Sequence, residues 1–146
     1  MDRKEFLKIC GFSCLGVIGL SGIMQSCSTT HYVNSAIEGK KVIVSKKEFE
    51  ILKKDSIAYR KYIVSKVEGI KYPIVIYKNS HDSYSALLLR CSHQGAELNI
   101  NDDMLTCSAH GSEFSKNGEV VQGPAEENLT TFKVQTDAHN IYIQLS

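Results

Sequence analysis

Two short loops constrain this chain more than any other feature. They are Cys91-Ser92-His93-Gln94-Gly95-Ala96-Glu97-Leu98 and Cys107-Ser108-Ala109-His110-Gly111-Ser112-Glu113-Phe114. Each supplies one thiol and one imidazole, with a glycine close behind the histidine. The segment between His93 and Cys107 has room for a short hairpin, residues 97–101 and 104–106, turning at Asp102-Asp103. A hairpin returns its two ends to one place. The spacing therefore brings Cys91, His93, Cys107 and His110 together without any long-range assumption.

The rest of the body reads as strands. Residues 41–45, 59–65, 72–77, 83–89, 131–136 and 140–144 are rich in Val, Ile, Tyr and Leu. Turn signals separate them: Lys78-Asn79-Ser80-His81-Asp82, Lys116-Asn117-Gly118 and Asp137-Ala138-His139-Asn140. Only 46–54 carries a weak helical pattern, and it reads equally as a strand. The expectation is an all-β domain over 40–146, an antiparallel sandwich or barrel of about eight to ten short strands, with the two hairpin loops forming a small subdomain.

The N-terminal segment has a different grammar. Arg3, Lys4 and Lys8 precede an apolar run from 9 to 24, which ends in Met24-Gln25-Ser26-Cys27. Positive, apolar, then small is the pattern of an export signal, here 1–26. As a helix the apolar run would span about 24 Å, short of the roughly 30 Å hydrocarbon core, which favours a cleaved signal over a permanent span. Met24-Gln25-Ser26-Cys27 resembles a lipoprotein signal, which makes Cys27 the expected lipidation site. Arg3-Lys4-Glu5-Phe6-Leu7-Lys8 resembles a twin-arginine export motif with lysine at its second basic position. That route moves folded proteins, as a chain loaded with a metal cluster before export would need. Residues 27–39 are polar and read as a tether. The expected location is the bacterial cell envelope, membrane-anchored and facing the periplasm or exterior. The net charge of +1 and the lack of a basic stripe with interleaved aromatics argue against nucleic acid as a partner.

With Cys10 and Cys14 in the signal and Cys27 at its end, only Cys91 and Cys107 remain in the body. They are a possible disulfide in an oxidising compartment. Two Cys and two His also make a tetrahedral zinc set, but zinc knuckles usually pair Cys with Cys two to four residues apart. Here each loop mixes the two residue types. That suits a binuclear cluster with one iron on two thiolates and the other on two imidazoles. Gly95 and Gly111 permit positive φ and close backbone approach, so N–H groups can face the cluster.

The pattern Cys-x-His-x13-Cys-x-x-His, with Gly95 and Gly111-Ser112, resembles the Rieske [2Fe–2S] family. Gly118-Glu119-Val120-Val121-Gln122-Gly123-Pro124-Ala125 extends the likeness, being similar to the family's third, proline-bearing loop. The resemblance implies one [2Fe–2S] cluster per chain on Cys91, His93, Cys107 and His110, with Gln94, Gly95, Gly111, Ser112, Phe114 and Pro124 around it. It implies no catalytic residues and no substrate site of the chain's own. Two departures from the Rieske subunits of cytochrome bc complexes stand out. Their loop disulfide is absent, with Ala96 and Ala109 in its place. Their tyrosine after the second histidine, a hydrogen-bond donor to cluster sulfur, is Phe114 here, while the serine is kept as Ser112. The implied function is that of a membrane-tethered protein passing single electrons in a respiratory or oxidoreductase chain, to a redox partner protein or from a quinol. A ferredoxin-like carrier of an oxygenase or reductase system is the alternative that the two alanines favour. His31, His81, His139 and the lysine pairs 40–41, 46–47 and 53–54 read as solvated surface.

Overall fold

The computed structural model describes residues 29–146; the export segment, its basic motif and Cys27 lie outside the described residues. Fourteen strands follow in order: β1 (Tyr32–Ser35), β2 (Ile37–Glu38), β3 (Lys41–Ser45), β4 (Glu50–Lys53), β5 (Ser56–Tyr59), β6 (Tyr62–Val67), β7 (Ile74–Lys78), β8 (Tyr84–Leu88), β9 (Asn99–Asn101), β10 (Met104–Thr106), β11 (Glu113–Ser115), β12 (Val120–Gln122), β13 (Thr131–Thr136) and β14 (Asn140–Gln144). Among the described residues no helix is long and apolar enough to cross a membrane.

Eight strands make the main sheet, in the order β1-β6-β7-β8-β13-β14-β3-β2, and it curls until β1 approaches β3 as a nearly closed barrel. Every pairing is antiparallel except β1 with β6. A second sheet, β12-β11-β10-β9, carries the two cysteine–histidine loops, and β4 pairs with β5 as a separate hairpin. The expected all-β architecture with a small loop-bearing subdomain is the one observed, with fourteen strands in place of the eight to ten expected because several are pieces of only two to four residues.

Side-chain alternation explains how the small sheet is held. In β6, β7 and β8 consecutive residues are buried, so both faces of these strands are covered. Ile63, Ile74, Ile76 and Ala86 point into the barrel, where Val42, Val44, Phe49, Ile141 and Ile143 meet them. Val64, Val75, Tyr77 and Leu87 point the other way and pack with Leu98, Leu105, Cys91, Cys107 and Phe114. The central strands thus serve two cores at once, and the second core is the floor of the cysteine–histidine loops.

Two stretches differ from expectation. The proposed tether is partly strand: residues 32–35 pair in parallel with β6, and 37–38 pair with β3. The polar composition hid this because only Val33 of β1 reaches the barrel core, while Ser65 Oγ donates to Ser35 Oγ at 2.8 Å. Backbone pairing to the open edge of β6 orders the segment, not burial. Residues 46–54 split into a 3-10 turn, Lys46–Phe49, capped by Ser45 and anchored by buried Phe49, followed by β4.

Gly118 closes the β11–β12 turn at φ +85°, and a Cβ there would meet Leu87 Cδ2 at 2.8 Å. Gly118→Ala combines a left-handed backbone with a clash against a buried leucine. It is expected to cost about 1–3 kcal/mol, read as a lower denaturation midpoint with unchanged slope.

Candidate metal centre

The two loops are built alike. In the first, the Cys91 N–H donates to the Ala96 carbonyl at 2.8 Å and the Gly95 N–H to the Cys91 carbonyl at 2.9 Å. In the second, the Cys107 N–H donates to the Ser112 carbonyl at 2.8 Å and the Gly111 N–H to the Cys107 carbonyl at 2.9 Å. Both turns need a left-handed residue to close, and glycine supplies it at φ +76° and +82°. The β9–β10 hairpin joins the loops as expected, turning at Asp102-Asp103 with Asp102 at φ +56°.

This repetition sorts the four side chains into two pairs. Cys91 and Cys107 are free thiols, 1% and 2% exposed, in contact with one another inside the second core. His93 and His110 are exposed, with ring centroids 5.0 Å apart and planes at 90°. Among the described residues no three His, Cys, Asp or Glu side chains close around a single point. The donors lie as a buried thiol pair beneath an exposed imidazole pair. A binuclear cluster asks for that donor set, two sulfurs for one iron and two nitrogens for the other.

Electrostatics favour a thiolate at the inner pair. Burial pushes the Cys107 thiol up, but backbone groups of Ala109 and His110 and the Cys91 thiol outweigh it and hold Cys107 below the ordinary thiol range. The glycines act through the turns they close. Their own N–H groups are spent closing the loops, and the backbone of Ala109 and His110 faces the sulfur.

The third loop clamps both ligand loops. Gln122 Nε2 donates to the Gly111 carbonyl at 3.2 Å, the Ala125 N–H to Ser112 Oγ at 3.0 Å, and Ser92 Oγ to the Glu127 carbonyl at 2.6 Å. Pro124 follows a cis peptide bond and lies exposed between these contacts, beside buried Ala125. From the opposite side the Tyr72 hydroxyl donates to the Gly95 carbonyl, and the Arg90 guanidinium lies over the Tyr72 ring at 5.9 Å. Four hydrogen bonds thus stand where Ala96 and Ala109 leave no disulfide. Ser112 and Phe114 are fully buried, Phe114 in the same core as the thiol pair, and Gln94 is exposed beside His93. Sequence reasoning missed Tyr72, Arg90, Ser92 and the role of Gln122. Tyr72 lies 23 residues before its acceptor, with no local pattern to mark it.

Comparison with known proteins agrees with this geometry. The sequence profile of the Rieske [2Fe-2S] domain matches residues 32–133, most of the chain. The cytochrome b6-f complex iron-sulfur subunit of Synechococcus sp. (strain JA-2-3B'a(2-13)) is 32% identical over 53 residues, covering 35% of this chain and 31% of that one. The same subunit of Chlorobaculum tepidum is 27% identical over 74 residues, 49% and 41% of the two chains. This chain therefore spans less than half the length of these relatives. Among solved structures, the cyanobacterial plasma membrane Rieske protein PetC3 from Synechocystis PCC 6803 superposes with a TM-score of 0.50 at 26% identity, covering 57% of this chain and 86% of that one. The quaternary ammonium Rieske monooxygenase CntA shares the fold, with a TM-score of 0.55 at 21% identity over 73% of this chain and 33% of its own. With the profile spanning β1 to β13 and a donor set that fits the cofactor, this chain belongs to the Rieske [2Fe–2S] family and carries a single [2Fe–2S] cluster.

Proposed function

We propose that this chain is an exported, membrane-tethered electron-transfer protein in a respiratory or oxidoreductase chain. Cys91 and Cys107 would hold one iron and His93 and His110 the other. The sorting of buried thiols from exposed imidazoles is the observation that carries this reading. When bound, the cluster takes up and returns one electron. The chain's part is to bury the sulfur side, to hold both loops rigid through Gln122, Ala125, Ser92 and Tyr72, and to present the imidazole edges to a partner. Purified mature protein should contain two irons and two acid-labile sulfides, and its reduced form should give a rhombic EPR signal with nitrogen coupling. Stoichiometric zinc without sulfide would overturn the assignment.

Membrane tethering is supported by the export grammar of residues 1–26 and by the membrane-bound relatives. Radiolabelled fatty acid should enter the wild type and not Cys27→Ser. An unlabelled wild type would reject lipidation and leave the cluster reading untouched. The donor and acceptor would be a redox partner protein or a quinol. Ala96 and Ala109 favour a second reading, the ferredoxin-like carrier of an oxygenase system; an export signal is out of place there, since such carriers are mostly cytosolic.

The family's potentials run from roughly −150 to +300 mV, and hydrogen bonds to sulfur are one lever on them. Ser112 Oγ accepts from Ala125, which leaves its proton free to donate toward the cluster, while Phe114 offers no donor. Phe114→Tyr should raise the potential and Ser112→Ala lower it, each by tens of millivolts. About 60 mV per electron is roughly 1.4 kcal/mol, the scale of one hydrogen bond. Protein-film voltammetry checks this. An intact cluster with an unmoved potential in both variants would mean that these side chains do not reach the sulfurs.

A further inference from the structure

Among the described residues the β4–β5 hairpin carries an apolar face that stays largely open to solvent. Its register sets Leu52 opposite Ile57, with Tyr59 two residues further along the same face. These side chains are 80%, 52% and 56% exposed. Single exposed leucines are ordinary on soluble proteins, but a contiguous apolar patch on a protruding hairpin marks an interaction surface. Lys53 and Lys54 stand at the hairpin tip, and Lys78 Nζ lies 5.3 Å from the Tyr59 ring centroid. Lys78 is held there by the His81 carbonyl and the Tyr84 hydroxyl, while Lys53 and Lys54 are exposed, and aliphatic side chains flanked by a tyrosine and by two exposed tip lysines match the chemistry of a membrane–water interface.

The position of the chain's N-terminal side selects the same occupant. His31 Nε2 lies 2.7 Å from Glu48 Oε2, just before β4, and the Arg60 guanidinium donates to the Glu48 and Glu50 carbonyls. Thr30, His31, Ile51, Arg60, Tyr62 and Asp102 line one shared cavity. The described chain therefore starts at the base of this hairpin. Three residues lie between Cys27 and His31, four Cα steps with a reach of at most about 14 Å. Each strand of the hairpin has four residues and rises about 13 Å. A bilayer holding the chain at Cys27 is thus within reach of the hairpin. The contact would leave the metal centre open, because Asp102 is the β9–β10 turn and the two ligand loops leave the other ends of those strands.

We infer that the β4–β5 hairpin is a membrane-surface contact, with Leu52, Ile57 and Tyr59 seated in the headgroup region of the bilayer that anchors the N-terminal segment. This rests on the membrane-tethered reading above. It gives the domain a fixed attitude on the membrane in place of free swinging on its tether.

The chain has no tryptophan, so Leu52→Trp supplies a single reporter at an exposed position that leaves both cores untouched. The full chain carrying this substitution, cluster intact by visible absorbance, is reconstituted into phosphatidylethanolamine–phosphatidylglycerol vesicles with plain or brominated acyl chains. The expected result is a blue-shifted emission that loses most of its intensity in brominated lipid. Ile51→Trp, on the opposite face of the hairpin, should lose much less. A chain that floats with the vesicles but emits equally in both lipids overturns the hairpin contact and leaves the tether standing. Equal quenching at both positions overturns the seating of this face. A chain that does not float at all removes the tether reading, and this inference with it.

Discussion

Chains carrying His93→Ala or His110→Ala are expected to purify without a cluster, the iron and acid-labile sulfide content falling from two of each to near zero. Each imidazole would be one of four protein ligands, and the other two would be thiolates committed to the inner iron. The other three histidines are placed elsewhere: His31 is tied to Glu48, His81 to Asp82, and His139 sits in the β13–β14 turn. Both rings are exposed, so their removal leaves no cavity. Far-ultraviolet circular dichroism should therefore keep its strand signature while visible absorbance and EPR signal vanish. A variant that retains a full complement of iron and sulfide would move the outer iron to other ligands and overturn the assignment.

Phe114→Ala should be the most destabilising single change in the small sheet. Phe114 is fully buried and pairs in register with Leu105 across β10–β11. Its ring belongs to the core that also holds Cys91, Cys107 and Leu98. Truncating a buried phenylalanine costs about 3–5 kcal/mol, a large part of a small domain's stability of roughly 5–15 kcal/mol. Denaturant unfolding of the holoprotein should show a midpoint well below wild type, and cluster loss on warming should come earlier. Gln94→Ala, at an exposed position beside His93, should stay within about 0.5 kcal/mol. A Phe114→Ala chain as stable as the Gln94→Ala one would mean that the floor of the centre is not packed as described.

Local pattern carried much of this molecule. Strands β3, β13 and β14 fall at the predicted residues because their alternation is strict, with Val42 and Val44, then Ile141 and Ile143, fully buried between more accessible neighbours. The β9–β10 hairpin was legible because its turn, Asp102-Asp103, is a short-range signal. The pairing of thiols and imidazoles was legible because the two loops are short and near in sequence, so few conformations separate the spacing from the geometry. Tertiary context decided the rest. Residues 32–38 look like a polar tether, and they become strands only because β6 and β3 offer unpaired backbone edges to them. Positions 46–54 carry no dominant period; burial of Phe49 turns the first half into a 3-10 turn and cross-strand pairing with β5 extends the second.

By itself the sequence determined the fold class, the proposed donor set and the two glycine turns, since these depend on periodicity, residue chemistry and backbone sterics within a few residues. Only the tertiary structure decided what holds the donors in place without a disulfide. Tyr72, Gln122, Ser92 and the Ala125 amide reach the loops from segments distant in the chain, and their partners are mostly carbonyls. A backbone carbonyl is present at every residue and leaves no mark in a sequence. Which of them a distant side chain meets is set by the packing of the third loop and β7 around the buried thiols.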